Sequence, residues 1–373
     1  MNTIGIDAHA IGLQQGGNER YAEGLLKGLS EINTHDFKFT VFLNEKAQVP
    51  DFLNNNPTFE FRKVSAVPVK RFIFDLPRNI KKYRIDLIHM QYHVPFRIDI
   101  PSVITLHDVS YLAHPEFFPI FERLKMKLMM PYSIKKAKKI ITVSEFSKKE
   151  ISKLYKYAPG KIYTIYNGIS DYFKPATTTE IQQTLEKYQI RNPYILTVSN
   201  LQPRKNLKGL IESFSNILRK DRKFPCCLVI VGKKLWLYDD IFAGIRNSEF
   251  KEKIFITGYL NDTEIISLYS GAEMFVYVSF YEGFGFPPIE AMACGCPVIT
   301  SNTSSLPEIT GDACIHVNPE NSEEIASAIV QLYQNKSLKE NLIGKGFMQA
   351  KKFSWSKCAK KTIDIYKEVL CLL

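Results

Sequence analysis

Short apolar segments alternate with helical segments along almost the whole chain, and this alternation is the feature that most constrains the fold. Several segments are nearly continuous apolar runs, such as LVIV at 228–231 and MFVYV at 274–278. Runs that are apolar on both faces are typical of parallel strands covered by helices on both sides. The alternation therefore predicts a doubly wound α/β architecture.

The sequence predicts thirteen strands in two groups. With 373 residues the chain exceeds the usual size of a single core, and a polar stretch at 168–192 separates the groups. We therefore predict two Rossmann-like domains, residues 1–170 and 171–354, with a cleft between them, followed by a helix at 355–373. The predicted strands are 3–8, 38–44, 59–64, 85–91, 102–108, 139–145 and 161–167, then 194–200, 226–232, 254–259, 274–279, 296–302 and 314–318.

Three of the predicted helices carry clear local signals. Apolar residues between 207 and 218 recur at three- and four-residue spacing, which predicts a helix with one buried face. Asn261 or Asp262 would cap the helix that ends at Gly271. Pro287–Pro288 suits the first turn of a further helix.

Composition indicates a soluble globular protein, with 45% hydrophobic and 23% charged residues. The sequence contains no uncharged apolar run long enough to span a membrane. Its opening residues predict a first strand and not a signal peptide. The seven cysteines are scattered without paired metal-ligand spacing, which argues against a zinc site and favours reduced thiols. We expect a cytoplasmic protein.

The net charge of +11 is concentrated in two segments of the first half. Residues 62–84 hold eight basic residues against one acid, and residues 123–149 hold nine against one. Two interpretations stay open: solvated helix faces, or an interfacial surface facing an anionic membrane from the N-terminal domain. Apolar residues interleave with both segments: Phe72, Ile73, Phe74, Leu76, Leu124, Met126, Leu128, Met129 and Met130.

Polar and glycine residues follow the predicted strands directly. In open parallel sheets, ligands bind beyond the carboxyl ends of the strands. We therefore expect these residues to converge on the predicted cleft. They are Gly16, Gly17, His107, Asn200, Arg204, Lys205, Tyr259, and Glu282 with the loop after it.

The strongest pattern is the nine-residue segment EGFGFPPIE, from Glu282 to Glu290. Its glycines, Gly283 and Gly285, allow a close approach of the backbone to a ligand. The loop opens into a helix whose free N–H groups suit a phosphate. Glu290, about one turn into that helix, suits paired hydrogen bonds from the vicinal hydroxyls of a ribose. A capped helix with a surface glutamate is the alternative.

Three weaker signals point the same way. Arg204–Lys205 would neutralise a diphosphate, although such pairs usually lie on solvated surface. Gly16–Gly17 precedes a helix and would aim amides at phosphate, and a turn without function explains it equally well. His107 would project into the cleft from the N-terminal domain, although a lone histidine at a strand end is often structural.

Taken together, these segments resemble the family 4 glycosyltransferases, retaining enzymes of the GT-B fold. The resemblance spans nearly the whole chain and is densest in the second half. Glu282–Glu290 matches that family's motif of two glutamates separated by seven residues. Supporting segments include 198–214, 256–272, 290–313 and THDVSYLAHPEFFP at 105–118.

The resemblance implies roles for the candidate residues. Glu290 would hold the nucleotide ribose, and Glu282 with the Phe284 and Gly285 amides would hold the donor sugar. Arg204 and Lys205, helped by Gly17, would bind the diphosphate. His107 would contact the transferred sugar, and Tyr259 would border the nucleobase. The last helix would cross back onto the first domain. Ser199–Asn200 stands where many members carry Gly-Arg.

The expected reaction transfers a sugar from a nucleoside diphosphate to an acceptor hydroxyl with retention, without a metal or other cofactor. The resemblance favours GDP-mannose as donor, leaving UDP- and dTDP-sugars open. Expected partners are the nucleotide-sugar donor and a sugar or lipid-linked acceptor in bacterial polysaccharide or lipopolysaccharide synthesis. An anionic membrane surface, through peripheral attachment at the inner face of the cytoplasmic membrane, is a further candidate.

Three other functions compete. A dehydrogenase would need a GxGxxG after a strand, which is missing from the sequence. A sugar-nucleotide epimerase of the same fold would rearrange the donor without an acceptor. A module that binds nucleic acid or a membrane would leave Glu282–Glu290 unexplained. We expect no nucleic-acid partner.

Overall fold

The computed structural model describes residues 1–13, 16–54, 56–156 and 160–371, which form two compact units. The first unit contains residues 1–112, 121–170 and 353–373. The second contains residues 113–120 and 171–352. Each unit holds a parallel sheet flanked by helices, so the predicted doubly wound, Rossmann-like class is confirmed.

The sheet of the first unit has seven parallel strands in the order β3-β2-β1-β4-β5-β6-β7. All seven strands predicted for this half are present. Those of the middle of the sheet are buried on both faces, as their apolar runs require. The strands are β1 (Asn2–Asp7), β2 (Phe37–Asn44), β3 (Phe59–Val64), β4 (Leu87–Gln91), β5 (Ser102–Thr105), β6 (Lys139–Thr142) and β7 (Ile162–Thr164).

The helices of the first half connect these strands. A short π-helical turn, Arg71–Asp75, joins α2 to α3, and Pro131 lies inside α5. The helices are α1 (Gly17–Ser30), α2 (Pro68–Lys70), α3 (Leu76–Lys82), α4 (Ser110–Ala113), α5 (Ile120–Lys136) and α6 (Glu145–Leu154).

The last helix belongs to the first unit, where it packs against α1. A side chain at Gly24 would place its Cβ 1.9 Å from the indole ring of Trp355, and one at Gly28 would meet the Trp355 backbone at 2.2 Å. Helix α1 therefore has to lack side chains at these two positions for the C-terminal segment to dock.

The sheet of the second unit has six parallel strands in the order β10-β9-β8-β11-β12-β13. All six strands predicted for this half are present. They are β8 (Tyr194–Val198), β9 (Cys227–Val231), β10 (Ile254–Gly258), β11 (Met274–Tyr277), β12 (Val298–Ser301) and β13 (Cys314–Val317).

The helices of the second half confirm the local signals. The predicted amphipathic helix is present and buries its apolar face in the core of this unit. Asn261, and not Asp262, caps α10 by accepting a hydrogen bond from the Glu264 amide. The helices are α7 (Thr178–Lys187), α8 (Leu207–Lys220), α9 (Asp239–Arg246), α10 (Asp262–Gly271), α11 (Phe286–Ala293), α12 (Leu306–Thr310), α13 (Ser322–Gln334) and α14 (Lys336–Ala350), and then α15 (Trp355–Cys371) in the first unit.

The segment 113–120 differs from the expected domain limits, which placed it with residues 1–170. It groups with the second unit because its aromatic residues pack there. The Phe117 ring stacks on Phe280 with centroids 5.6 Å apart, and the Trp236 indole donates a hydrogen bond of 2.8 Å to the Phe117 carbonyl. A contiguous domain of residues 1–170 therefore does not describe this part of the chain.

Within the described ranges, helices long and apolar enough to cross a bilayer are absent. All seven cysteines are free thiols, and six of them are buried.

Candidate active site

The topology of the second unit brings the two strongest sequence signals together. Strands β8 and β11 are neighbours at the middle of the sheet, where the order of the strands reverses. Parallel sheets open a crevice at such a point, beyond the carboxyl ends of the two strands. Arg204 and Lys205 lie in the connection that follows β8, and Glu282 lies in the connection that follows β11.

The loop after β11 turns sharply into α11. Gly285 caps this helix with a φ of 96°, and a Cβ there would lie 2.7 Å from the Leu306 side chain. Glycine is required at this position for both reasons. The Ser305 hydroxyl donates hydrogen bonds to the carbonyls of Glu282 (2.9 Å) and Phe284 (3.1 Å) and so fixes the loop.

Glu282 is buried and forms an ion cluster with both predicted cations, which are partly exposed. Its carboxylate lies 2.9 Å from Arg204 Nη1 and 2.6 Å from Lys205 Nζ. Arg204 also donates to the Tyr281 carbonyl, and its own carbonyl accepts hydrogen bonds from the Phe280 amide and the Ser279 hydroxyl. The loop after β11 therefore holds both the side chain and the backbone of Arg204.

The electrostatics of the cluster keep Glu282 ionised. Burial alone would raise the pKa of this carboxyl, but the charges of Arg204 and Lys205 lower it to about 2. One carboxylate against two cations leaves the cluster with a net charge of +1. The cluster is thus suited to receive an anion.

Two tyrosines contact the charged groups of this site. The Tyr277 hydroxyl donates to Glu282 Oε1 at 2.8 Å and accepts from Lys205 Nζ at 2.7 Å. Burial raises the pKa of Tyr277 well above its ordinary value, and the charge of Glu282 adds to the shift. Glu290 is buried in α11 and accepts a hydrogen bond of 3.3 Å from Tyr269. Each motif glutamate thus accepts a hydrogen bond from a tyrosine, Glu282 from Tyr277 and Glu290 from Tyr269.

The other predicted residues of this unit lie at neighbouring strand ends. Tyr259 is exposed directly after β10, and Asn200 follows β8. The hydroxyl of Ser199 is buried and has no hydrogen-bond partner among the described residues. Gly283 and Phe284 are buried in the loop before α11. The donor contacts assigned to these residues stay predictions.

In the first unit, Gln91 connects His107 to the start of α1. The side-chain oxygen of Gln91 lies 2.9 Å from His107 Nε2, and its side-chain nitrogen donates to the Asn18 carbonyl at 3.2 Å. Asn18 follows Gly17, the first residue of α1, and Gly16 caps that helix with a φ of 63°. The structure therefore brings His107 close to the Gly16–Gly17 turn.

The contacts of Gln91 determine the protonation of His107. A carbonyl accepts only, so the amide nitrogen of Gln91 has to face Asn18 and its oxygen has to face the ring. His107 therefore carries its proton on Nε2. Burial lowers the pKa of His107 to about 4, so the ring is neutral at pH 7 with Nδ1 as the acceptor. His107 is buried, and its contact with the transferred sugar stays a prediction.

We predict that Gln91→Leu lowers kcat about tenfold, because the loss of one hydrogen bond of ~1.4 kcal/mol releases the ring from its tautomer and orientation. His107→Ala is expected to slow transfer further, by ~2–4 kcal/mol. Steady-state kinetics and calorimetric donor binding would separate kcat from affinity.

Gln349→Leu is the matched control for Gln91→Leu. Gln349 is a buried glutamine of α14 that donates to the Ile309 carbonyl at 2.6 Å. The control is expected to lower the melting temperature without lowering kcat. Equal kcat losses in both variants would show that Gln91 acts only through stability.

Sequence reasoning missed Gln91 and Tyr277. Both are the last residues of parallel strands, β4 and β11, and that position is the signal that would have found them. Among the residues that the structure describes, none of the groups of His, Cys, Asp and Glu is arranged to hold a metal ion.

Comparisons with known proteins identify the family of this chain. Residues 180–348 match the family model for glycosyl transferases group 1, and residues 15–171 match the model for Glycosyltransferase Family 4. The chain is 35% identical to O-antigen chain mannosyltransferase B of Escherichia coli over 291 residues, 77% of this chain and 76% of the relative. It is 26% identical to the serotype-specific mannosyltransferase WbdA of Escherichia coli over 72% of this chain but 34% of that longer relative.

A solved structure supports the fold. Anabaena Alr3699/HepE in complex with UDP-glucose superimposes with a TM-score of 0.76, covering 99% of this chain and 100% of that chain. The sequence identity is 17%, so this likeness concerns the fold alone.

Proposed function

This chain belongs to the family 4 glycosyltransferases, and on that premise we propose that it is a retaining mannosyltransferase that uses GDP-mannose. The acceptor is a hydroxyl of a growing bacterial polysaccharide, of the O-antigen or a related type. The glycosyltransferase activity follows from the family. The donor, the acceptor and the stereochemistry are the proposal.

The cluster of Arg204, Lys205 and Glu282 is the observation that carries the proposal. Its net charge of +1 lies at the crevice between β8 and β11, beside the N-terminus of α11. A cationic group of this kind suits a nucleoside diphosphate, whereas Pro287 and Pro288 in the first turn of α11 have no N–H to donate. Glu290, buried nearby in α11, has the chemistry to bind the attached ribose.

The same groups suit the chemistry of transfer. When the bond between the sugar carbon and the diphosphate breaks, negative charge grows on the leaving phosphate. Arg204 and Lys205 are already held in place by Glu282 and Tyr277, so they stabilise this charge without reorganising. We propose that these two cations serve where other transferases use a metal, and that EDTA leaves the activity unchanged.

Retention is proposed to occur through attack on the face that the diphosphate leaves, with the leaving phosphate taking the acceptor proton. A covalent glycosyl–enzyme adduct, detected by mass spectrometry of the quenched protein, would contradict this mechanism.

Two relatives support the choice of mannose. O-antigen chain mannosyltransferase B, at 35% identity, and WbdA, at 26%, are both described as mannosyltransferases. The epimerase alternative gains no support, because the matching families and these relatives are described as transferases.

The test begins with thermal-shift measurements against GDP, UDP and dTDP and the corresponding sugars. The right donor is expected to raise the melting temperature most, because it binds the folded state alone. Incubation with labelled GDP-mannose and an oligosaccharide acceptor is then expected to give an extended product, whose anomeric configuration is read by NMR.

Three outcomes would contradict the proposal. Stronger stabilisation by UDP or dTDP than by GDP would overturn the donor. An inverted linkage would overturn retention. Conversion of the labelled donor to an isomer without any acceptor would favour the epimerase.

A further inference from the structure

The first unit exposes large apolar side chains on two helical segments. Phe74, at the π-helical turn before α3, is 64% exposed, and Phe121 and Leu128 of α5 are 81% and 76% exposed. Phe121 and Leu128 are seven residues apart and share one face of their helix, and exposed Leu124 lies between them. Isolated exposed hydrophobic residues are ordinary, but a concentration of this kind indicates an interaction site.

The two segments are joined by the loop 93–97. The ring of His93 lies 6.4 Å from that of Phe72, beside Phe74. At the other end of the loop, exposed Phe96 packs on Tyr132 of α5 with centroids 4.7 Å apart, and the Tyr132 hydroxyl donates to the Phe96 carbonyl. The two segments thus flank one loop of the first unit, which places their exposed side chains in one region of its surface.

This surface, which we call the apolar–basic face, is strongly cationic. Residues 67–84 hold six basic residues and one acid, and residues 121–138 also hold six and one, so the net charge of the two segments is +10. The two acids are engaged: Asp75 accepts from the Ser65 amide at 2.7 Å, and Glu122 pairs with Lys125. The exposed cations include Lys70, Arg78, Lys81, Lys82, Arg97 and Lys125.

The structure also revises which apolar residues belong to the apolar–basic face. Leu76 and Met130, which the sequence grouped with the others, are buried in the core. Helix α5 therefore has apolar residues on both sides, one side packed inwards and the other exposed among lysines.

We propose that the apolar–basic face docks onto an anionic lipid bilayer, with Phe74, Phe121 and Leu128 entering the interface and the cations meeting the headgroups. Charge complementarity selects this occupant. A second copy of the chain would bring two charges of +10 together, and nucleic acid would leave the aliphatic and aromatic side chains in water. A bilayer with acidic headgroups satisfies both kinds of side chain. This inference does not rest on the identity of the donor.

Flotation with vesicles tests the proposal. The full-length protein is expected to float with vesicles that contain phosphatidylglycerol. With vesicles of pure phosphatidylcholine it is expected to remain in the unbound bottom fraction. Binding is expected to fall with salt, because the attraction is screened. Phe74→Ser/Phe121→Ser should lower the partition coefficient at least about tenfold. Lys70→Gln/Lys125→Gln should lower it about fivefold for each charge removed.

A matched control uses exposed residues of the second unit. Met348 is 65% exposed and Lys251 is also exposed, so Met348→Ser/Lys251→Gln removes the same kinds of side chain elsewhere. It is expected to bind vesicles as the wild type does. Nucleoside-diphosphate affinity, measured by calorimetry, is expected to stay unchanged in all three variants and so confirms their folding.

Other partners of the apolar–basic face would give different experimental results. Equal partitioning of the control and the face variants would overturn the proposal. So would a lipid-free dimer that Phe74→Ser/Phe121→Ser dissociates, measured by mass photometry. Tight binding of RNA that the same variants weaken, without vesicle binding by the wild type, would assign the face to nucleic acid instead.

Discussion

Lys205→Met should weaken binding of the nucleoside diphosphate roughly 30- to 900-fold, a loss of ~2–4 kcal/mol. The variant keeps the aliphatic stem but removes a cation that lies 2.6 Å from Glu282. Arg204 and Glu282 then neutralise one another, so the net charge of the cluster falls from +1 to zero. Isothermal calorimetry of the wild type and the variant measures the change.

Lys208→Met is the control for this prediction. Lys208 lies three residues further along, exposed in the first turn of α8, so its loss should leave the affinity within about twofold because exposed charges contribute little. Lys205→Met is also expected to have a lower melting temperature, since Glu282 loses a partner in a buried site. Binding is therefore measured well below the melting temperature of the variant.

Glu282→Gln changes the net charge of the cluster in the opposite direction. Removing this carboxylate raises the net charge of the cluster from +1 to +2, so the diphosphate should bind at least as tightly while sugar transfer falls. If Lys205→Met left the affinity unchanged, or if Glu282→Gln lost diphosphate binding while remaining folded, the cluster would not be the phosphate site.

Glu290→Gln should weaken nucleotide binding about 10- to 150-fold, because a charge-assisted hydrogen bond contributes ~1.5–3 kcal/mol. The substitution nearly preserves shape, so the packing of α11 and the contact with Tyr269 are little disturbed. The effect is measured as an increase in Kd for the nucleoside diphosphate. Glu340 is an exposed glutamate of α14, and the control variant Glu340→Gln is expected to leave this Kd unchanged.

A nucleotide with deoxyribose tests whether Glu290 contacts the ribose. The wild type should lose affinity when the ribose hydroxyl is removed, whereas Glu290→Gln should lose little more, because the two changes remove the same interaction. Independent, additive losses would place the ribose away from Glu290.

Local sequence determined the fold class and most of the elements. Thirteen strands were predicted and all thirteen are present, because a strand buried on both faces has to be apolar at nearly every position. The cap of α10 at Asn261 or Asp262 and the place of Pro287–Pro288 in the first turn of α11 were likewise predicted, because caps and first turns depend on a few adjacent residues.

Local sequence also determined part of the candidate site. Glu282 and Glu290 lie eight residues apart in one strand-loop-helix connection, so their neighbourhood is largely local. Arg204 and Lys205 were predicted to serve a diphosphate, and that role stays a prediction.

Only the tertiary structure decided what neutralises these cations. Glu282 lies 77 residues from Lys205, and the two meet because β8 and β11 are neighbours in the sheet. The contact of Gln91 with Asn18 spans 73 residues for the same kind of reason, between a strand end and a helix start. The docking of 113–120 in the second unit and the burial of Leu76 and Met130 also depend on packing. Periodicity specifies which residues are apolar, whereas strand order and packing specify which of them meet and which stay exposed.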